Sequence, residues 1–232
     1  VLQHESLPST LLETIKKEAE RLLKDAHAEL PVGMAKEDFI QICQQAWPLH
    51  PSVVLVLPRV FQRLAQNERS LFSYLASQEP YGFQEHCRRN AETDCGFVRL
   101  YDIANYLLAN MKTTLVQRSD ARIMLEILEG DSNELSPLQA QILRTVGLLN
   151  VLGYVSPLQT TAHTLLTVLP HRMQDIDVAI QGLKKLRLLT IHQFDETFHL
   201  WEGGNIDIED LLQKARNELR DEGADFLALV RE

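Results

Sequence analysis

Glycine and proline are scarce in this chain: 10 and 9 among 232 residues. So few chain-reversing residues, set against long apolar periodic runs, exclude an all-β design and argue for a mainly helical protein. No glycine is followed by lysine, so there is no G-x-x-x-x-G-K-[ST] phosphate loop. A G-x-S-x-G elbow and an H-E-x-x-H zinc helix are missing too. These absences leave the chain with no complete catalytic site. Cysteine is limited to Cys43, Cys87 and Cys95 at uneven spacing, which excludes a disulfide framework and fits a reducing, cytoplasmic setting. His86, Cys87 and Cys95 are soft metal ligands, but without a C-x-x-C pair they read as ordinary side chains, and no metal is expected. No apolar run approaches the ~18 residues that span a bilayer, and the amino terminus has no signal-peptide core, so no membrane partner is expected. Positive charge is in deficit, 23 Lys and Arg against 32 Asp and Glu. The resulting charge of −9 opposes non-specific attraction to nucleic acid or anionic lipid.

What is present suffices for a core, since 45% of the residues are hydrophobic and 24% charged. The amino-terminal part reads as successive amphipathic helices. One runs from Pro8-Ser9-Thr10 to about Glu29, a second from Lys36 to Trp47, and a third covers Ser52 to Leu64. The third is rich in β-branched residues, but the row Val54, Leu57, Phe61, Leu64 has helical spacing, with Pro58 near a kink or an early turn. Further helices are expected over 83–92, 97–111 and 115–129. The loop Gly130-Asp131-Ser132-Asn133 divides a helical bundle, 1–132, from a second domain, 133–232.

The second domain begins with Ser136 as an N-cap and Pro137 in the first turn of a helix reaching Leu152. Tyr154-Val155 reads as a short strand. Helices over 160–169 and 175–186 follow, and then the period changes. Leu189 to Phe194 alternates, Asp195-Glu196 turns the chain, and Thr197 to Trp201 alternates back, the pattern of a β-hairpin. Three helices closed by a hairpin make a winged-helix layout. A last helix is expected over Ile206 to Arg220, with a helical tail from Ala224. In a DNA-reading winged helix Lys184, Lys185 and Arg187 would face the nucleic acid. Asp175 and Asp177 at the start of that helix, and Asp195 and Glu196 in the wing, argue instead for a packing and coupling module.

In the amino-terminal part, Gln66-Asn67-Glu68-Arg69-Ser70-Leu71-Phe72 reads as a helix start, with Asn67 as N-cap. Arg69 then sits in the first turn, where a cation opposes the helix dipole. Two readings are open: a surface ion pair, or a functional cation placed against the local rule.

The succession of Pro48-Leu49-His50-Pro51, the Gln66–Phe72 stretch, a helical spacer, and a winged helix ending Phe198-His199-Leu200-Trp201-Glu202-Gly203 resembles the carboxyl-terminal half of bacterial AAA+/STAND P-loop ATPases. Several of those are linked to anti-phage defence. The resemblance is at the level of motifs and covers about residues 36–220. In initiator-type members a lid helix carries a sensor-2 arginine in a G-D-x-R-x-x-L context, which implies that role for Arg69. The Gln-Asn in place of Gly-Asp is a departure in the loop ahead of it. The resemblance implies ATP and Mg2+ held by an upstream P-loop core, a helical lid, and either self-association or a protein partner. Asn67 and His50 are the other nucleotide-contact candidates, and for His50, held between two prolines, capping or packing is the competing role.

Overall fold

A computed structural model describes residues 7–64, 69–89, 96–117, 119–130, 135–192 and 194–201. The expected helix over 206–220 and the tail from Ala224 lie outside the described residues, as does Asn67. Among the described residues there are eleven α-helices and one two-stranded antiparallel sheet. None of these helices is long and apolar enough to cross a membrane.

Helix α1 (Ser9–Asp25) buries Ile15, Ala19 and Leu22 and packs along α2 (Lys36–Gln45). It ends four residues short of the expected Glu29. His27 takes a left-handed φ of 49°, which stops helix propagation in L-residues. Helix α3 (Pro51–Leu64) is central and exceeds its expected stripe: Val53, Leu55, Val56, Leu57, Val60, Phe61 and Leu64 are all buried. Pro58 lies inside it on an exposed face, where water can serve the carbonyl that proline leaves without a donor.

Two shorter helices follow, α4 (Arg69–Ala76) and α5 (Phe83–Arg89). Helix α6 (Leu100–Asn110) begins three residues later than expected because Val98 is used elsewhere, in a parallel bridge with Leu49. Phe61, Tyr74 and Tyr106 join α3, α4 and α6 through an aromatic cluster, with the two tyrosine rings edge to face at 4.9 Å. The single helix expected from Leu115 is two, α7 (Lys112–Val116) and α8 (Ser119–Gly130).

Helix α9 (Pro137–Leu152) starts on a complete capping box. The Ser136 hydroxyl accepts from the Gln139 N–H, and the Gln139 side chain accepts from the Ser136 N–H. Nine of its residues are buried, because α6, α8 and α3 cover it on several sides. The expected strand at Tyr154-Val155 is instead a 3-10 turn, Gly153–Val155, entered through a glycine with φ of 54°. Helices α10 (Ala162–Val168) and α11 (Met173–Lys185) lead to β1 (Leu189–His192) and β2 (Thr197–Leu200). Leu189 pairs with Leu200 and His192 with Thr197.

A two-stranded ribbon is marginal alone, and here side chains hold its outer edge. The Asn150 amide donates to the Phe198 carbonyl and accepts from the Leu200 N–H, while the Phe198 N–H donates to the Thr160 carbonyl. Val1–Leu200 form one compact unit. The expected 132/133 boundary lies outside the described residues; α8 and α9, on its two sides, pack together.

Candidate functional site

Arg69 is the first residue of α4, and its side chain lies outside the description. His50 stands just ahead of the other end of α3, so that helix, about 20 Å long at 1.5 Å per residue, lies between His50 and the segment leading to Arg69.

His50 is the N-cap of α3. Its carbonyl accepts from the Val53 and Val54 N–H groups. The Ser52 N–H donates to its Nδ1 at 3.2 Å, and the Ser52 hydroxyl lies 2.7 Å from the same atom. With Nδ1 accepting, the ring proton belongs on Nε2, which faces the Glu18 carboxylate at 3.5 Å, longer than a hydrogen bond. Phe97 packs edge-on against the ring at 5.4 Å. Burial draws the His50 pKa down to about 4, against a smaller opposing pull from Glu18. Glu18 is held below the usual carboxylate range, chiefly by His50.

Ser52, His50 and Glu18 thus follow the order of nucleophile, base and orienting acid. Ser52 and His50, however, are both 0% exposed, so no substrate reaches the hydroxyl. The set is a helix cap with a packed ring. Of the two roles open to His50 in the sequence, the geometry is that of capping.

Lys184, Lys185 and Arg187 lie together at the end of α11, where cations complement the helix dipole. Arg187 is also the residue that closes the helix. Its φ is 55°, its N–H donates to the Lys184 carbonyl, and the Leu188 N–H donates to that of Leu183. This is a Schellman motif, in which glycine is the favoured residue at that position. Arg187→Gly is therefore expected to raise stability by about 1 kcal/mol, read as a higher denaturant midpoint. A lower midpoint would mean that the guanidinium itself holds structure. At the other end of α11, Asp175 and Asp177 are exposed, together with Met173 and Val178. The hairpin turn presents Phe194, 94% exposed, beside Asp195. Asp195 accepts from the Thr197 N–H and hydroxyl and contacts His192 Nδ1 at 3.1 Å, which holds its carboxyl below the usual range.

A cleft of about 420 Å³ is lined by Tyr81, Glu85, Arg89, Arg99, Tyr101 and Asp102, among others. Its charged groups are spoken for. Arg89 pairs with Glu85, Asp102 accepts from the Arg99 N–H, and the Arg99 guanidinium donates to the Val168 carbonyl. No group of three or more His, Cys, Asp or Glu among the described residues could hold a metal ion. Of the three soft ligands noted in the sequence, Cys87 is a free thiol and Cys95 lies outside the described residues.

Sequence reasoning passed over Arg21, Arg59 and Arg99. Each carries a guanidinium from the amino-terminal helices to a main-chain carbonyl beyond residue 150. Pro170 was the available signal: it has no N–H to offer the carbonyl four residues earlier, which must find a donor elsewhere. Comparisons of the chain with protein-family models, with curated proteins and with solved structures find no match.

Proposed function

We propose that this chain is the helical lid and winged-helix portion of a P-loop ATPase, sensing bound nucleotide and coupling hydrolysis to movement, in the setting of anti-phage defence. The observation that carries the reading is the order of elements. An all-helical bundle is followed by three helices closed by an antiparallel hairpin, and a helix within the bundle opens on Arg69. ATP and Mg2+ would be held by an upstream core, with Arg69 adding a forked contact to the terminal phosphate. Loss of that phosphate on hydrolysis releases the contact and frees the lid to move. Asn67, just ahead of Arg69, would shape the approach. His50 contributes by fixing the start of α3, not by touching nucleotide. The partners are the core itself and a second copy or another protein, in the cytoplasm.

In the chain joined to its core, Arg69→Ala is expected to lower ATP turnover about 10- to 100-fold, the equivalent of one charge-assisted contact, while the circular-dichroism spectrum stays unchanged. Unchanged turnover would remove the basis for the reading.

The cations Lys184, Lys185 and Arg187 at one end of α11 favour a second reading, a winged-helix DNA-binding regulator. It requires a salt-dependent duplex shift that Lys184→Glu with Lys185→Glu abolishes; absence of binding at low salt would dismiss it. The exposed Asp175 and Asp177 on the same helix favour protein contact over DNA.

A further inference from the structure

Helix α10 ends in a run of carbonyls that its own chain cannot satisfy. Within a helix the Leu166 carbonyl would accept from residue 170, but residue 170 is proline and has no N–H. The Val168 carbonyl, at the last helical residue, is an orphan of the helix end. Both are filled by arginines from distant parts of the chain. Arg21 of α1 donates to the Leu166 carbonyl at 2.7 Å, and Arg99, at the start of α6, donates to the Val168 carbonyl at 2.6 Å.

A third arginine does the same for a carbonyl well ahead of α10 in the chain. Arg59 of α3 donates to the Val155 carbonyl at 2.5 Å, beyond the end of α9. Arg63, one helical turn further along α3, lies over the Tyr154 ring at 5.7 Å. Three different amino-terminal elements thus each send a guanidinium to a main-chain acceptor in the carboxyl-terminal portion. All three bonds are charge-assisted, and main-chain acceptors cannot swing away as side chains can.

We infer that Arg21, Arg59 and Arg99 form a three-point clamp that makes helices α1 to α8 and the portion from α9 to β2 a single mechanical body. Apolar packing of α9 on α6 and α8 and of α10 on α1 brings the two portions together, and the Glu29 N–H donates to the Pro157 carbonyl; the apolar part of this contact is non-directional. The clamp adds direction to that packing, since each bond has one acceptor and a narrow range of angles. A displacement applied to the bundle is then carried to the hairpin as motion of one body. The clamp is a property of the fold and does not require that nucleotide be the source of the displacement.

The test is hydrogen exchange measured peptide by peptide across a urea series, on the full chain. In the wild type, peptides from α3 and α6 and peptides from α10 and the hairpin are expected to open at one shared midpoint. In the Arg21→Gln, Arg59→Gln, Arg99→Gln variant the α10 and hairpin peptides should open first, by about 1 M urea. Each single replacement should speed sub-global exchange of those peptides about 5-fold with α3 little changed, which keeps the test decisive if the triple variant does not fold. Separate midpoints in the wild type would overturn the inference. So would a shared midpoint that survives in the triple variant, or single replacements that leave α10 exchange unaltered. Arg69→Ala turnover is read independently, so failure of the nucleotide reading and failure of the clamp are told apart.

Discussion

Lowering the pH from 7 to 5 is expected to reduce the unfolding free energy by about 2 kcal/mol, through His50. The unfolded chain holds a histidine of ordinary pKa, while burial among α1, α3 and Phe97 keeps the folded pKa at about 4. Between those values the unfolded state binds a proton that the folded state refuses. The His50 contribution is therefore fully present above the unfolded pKa and is lost as pH falls toward the folded one. Each unit in that window corresponds to about 1.4 kcal/mol. Glu18 acts in the same direction, because its folded pKa is lowered and protonation removes the partner of His50. Asp102 acts against both, since burial raises its carboxyl. Arg21 and Arg99, the cations nearest His50, disfavour its protonation further.

His50→Asn keeps an N-cap able to accept from the Ser52 N–H and removes the titrating ring. Denaturant midpoints at the two pH values should then draw together in the variant. An equally steep loss in His50→Asn would place the acid sensitivity elsewhere.

Gly147→Val should cost about 3 kcal/mol, although valine is a common helical core residue. Gly147 lies in the middle of α9, where Met124 of α8 and Leu200 of β2 stand against the helix backbone. A Cβ there would stand 3.0 Å from Met124 Cγ and 3.1 Å from Leu200 Cδ1. One methyl can be met by small shifts of those two side chains, and alanine also recovers the helix propensity that glycine lacks, about 1 kcal/mol. Gly147→Ala should accordingly leave the midpoint nearly unchanged. The two further methyls of valine have nowhere to go, and the hairpin must lift from α9. A thermal melt with near-ultraviolet circular dichroism distinguishes the cases. A valine variant as stable as the alanine one would show that α8 and β2 are looser on α9 than these distances imply.

Much of the secondary structure was legible because its signals are local. Ser136 and Pro137 specify a helix start by cap chemistry within four residues, and the capping box is formed. The shift from a helical to an alternating period at Leu189 located the hairpin, since that period decides which side chains share a face. Other elements were misread where a distant partner overrides a local preference. Val98 leaves the expected start of α6 to bridge Leu49. Val155, β-branched and read as strand, closes a 3-10 turn and gives its carbonyl to Arg59. The stripe expected on α3 marked one face, whereas neighbours on several sides bury most of the helix.

The helical class, the three helices with a closing hairpin, and the lack of a phosphate loop can all be read from the order of residues. These depend on spacing along the chain, and spacing is what a sequence records. That His50 is a sealed cap and that α6 and α9 share a core emerges from packing in three dimensions. It alone brought three arginines to carbonyls between 69 and 145 positions away along the chain. A guanidinium on a long, flexible stem can serve any acceptor the fold brings within reach, so the choice among acceptors is made by packing and leaves no local trace.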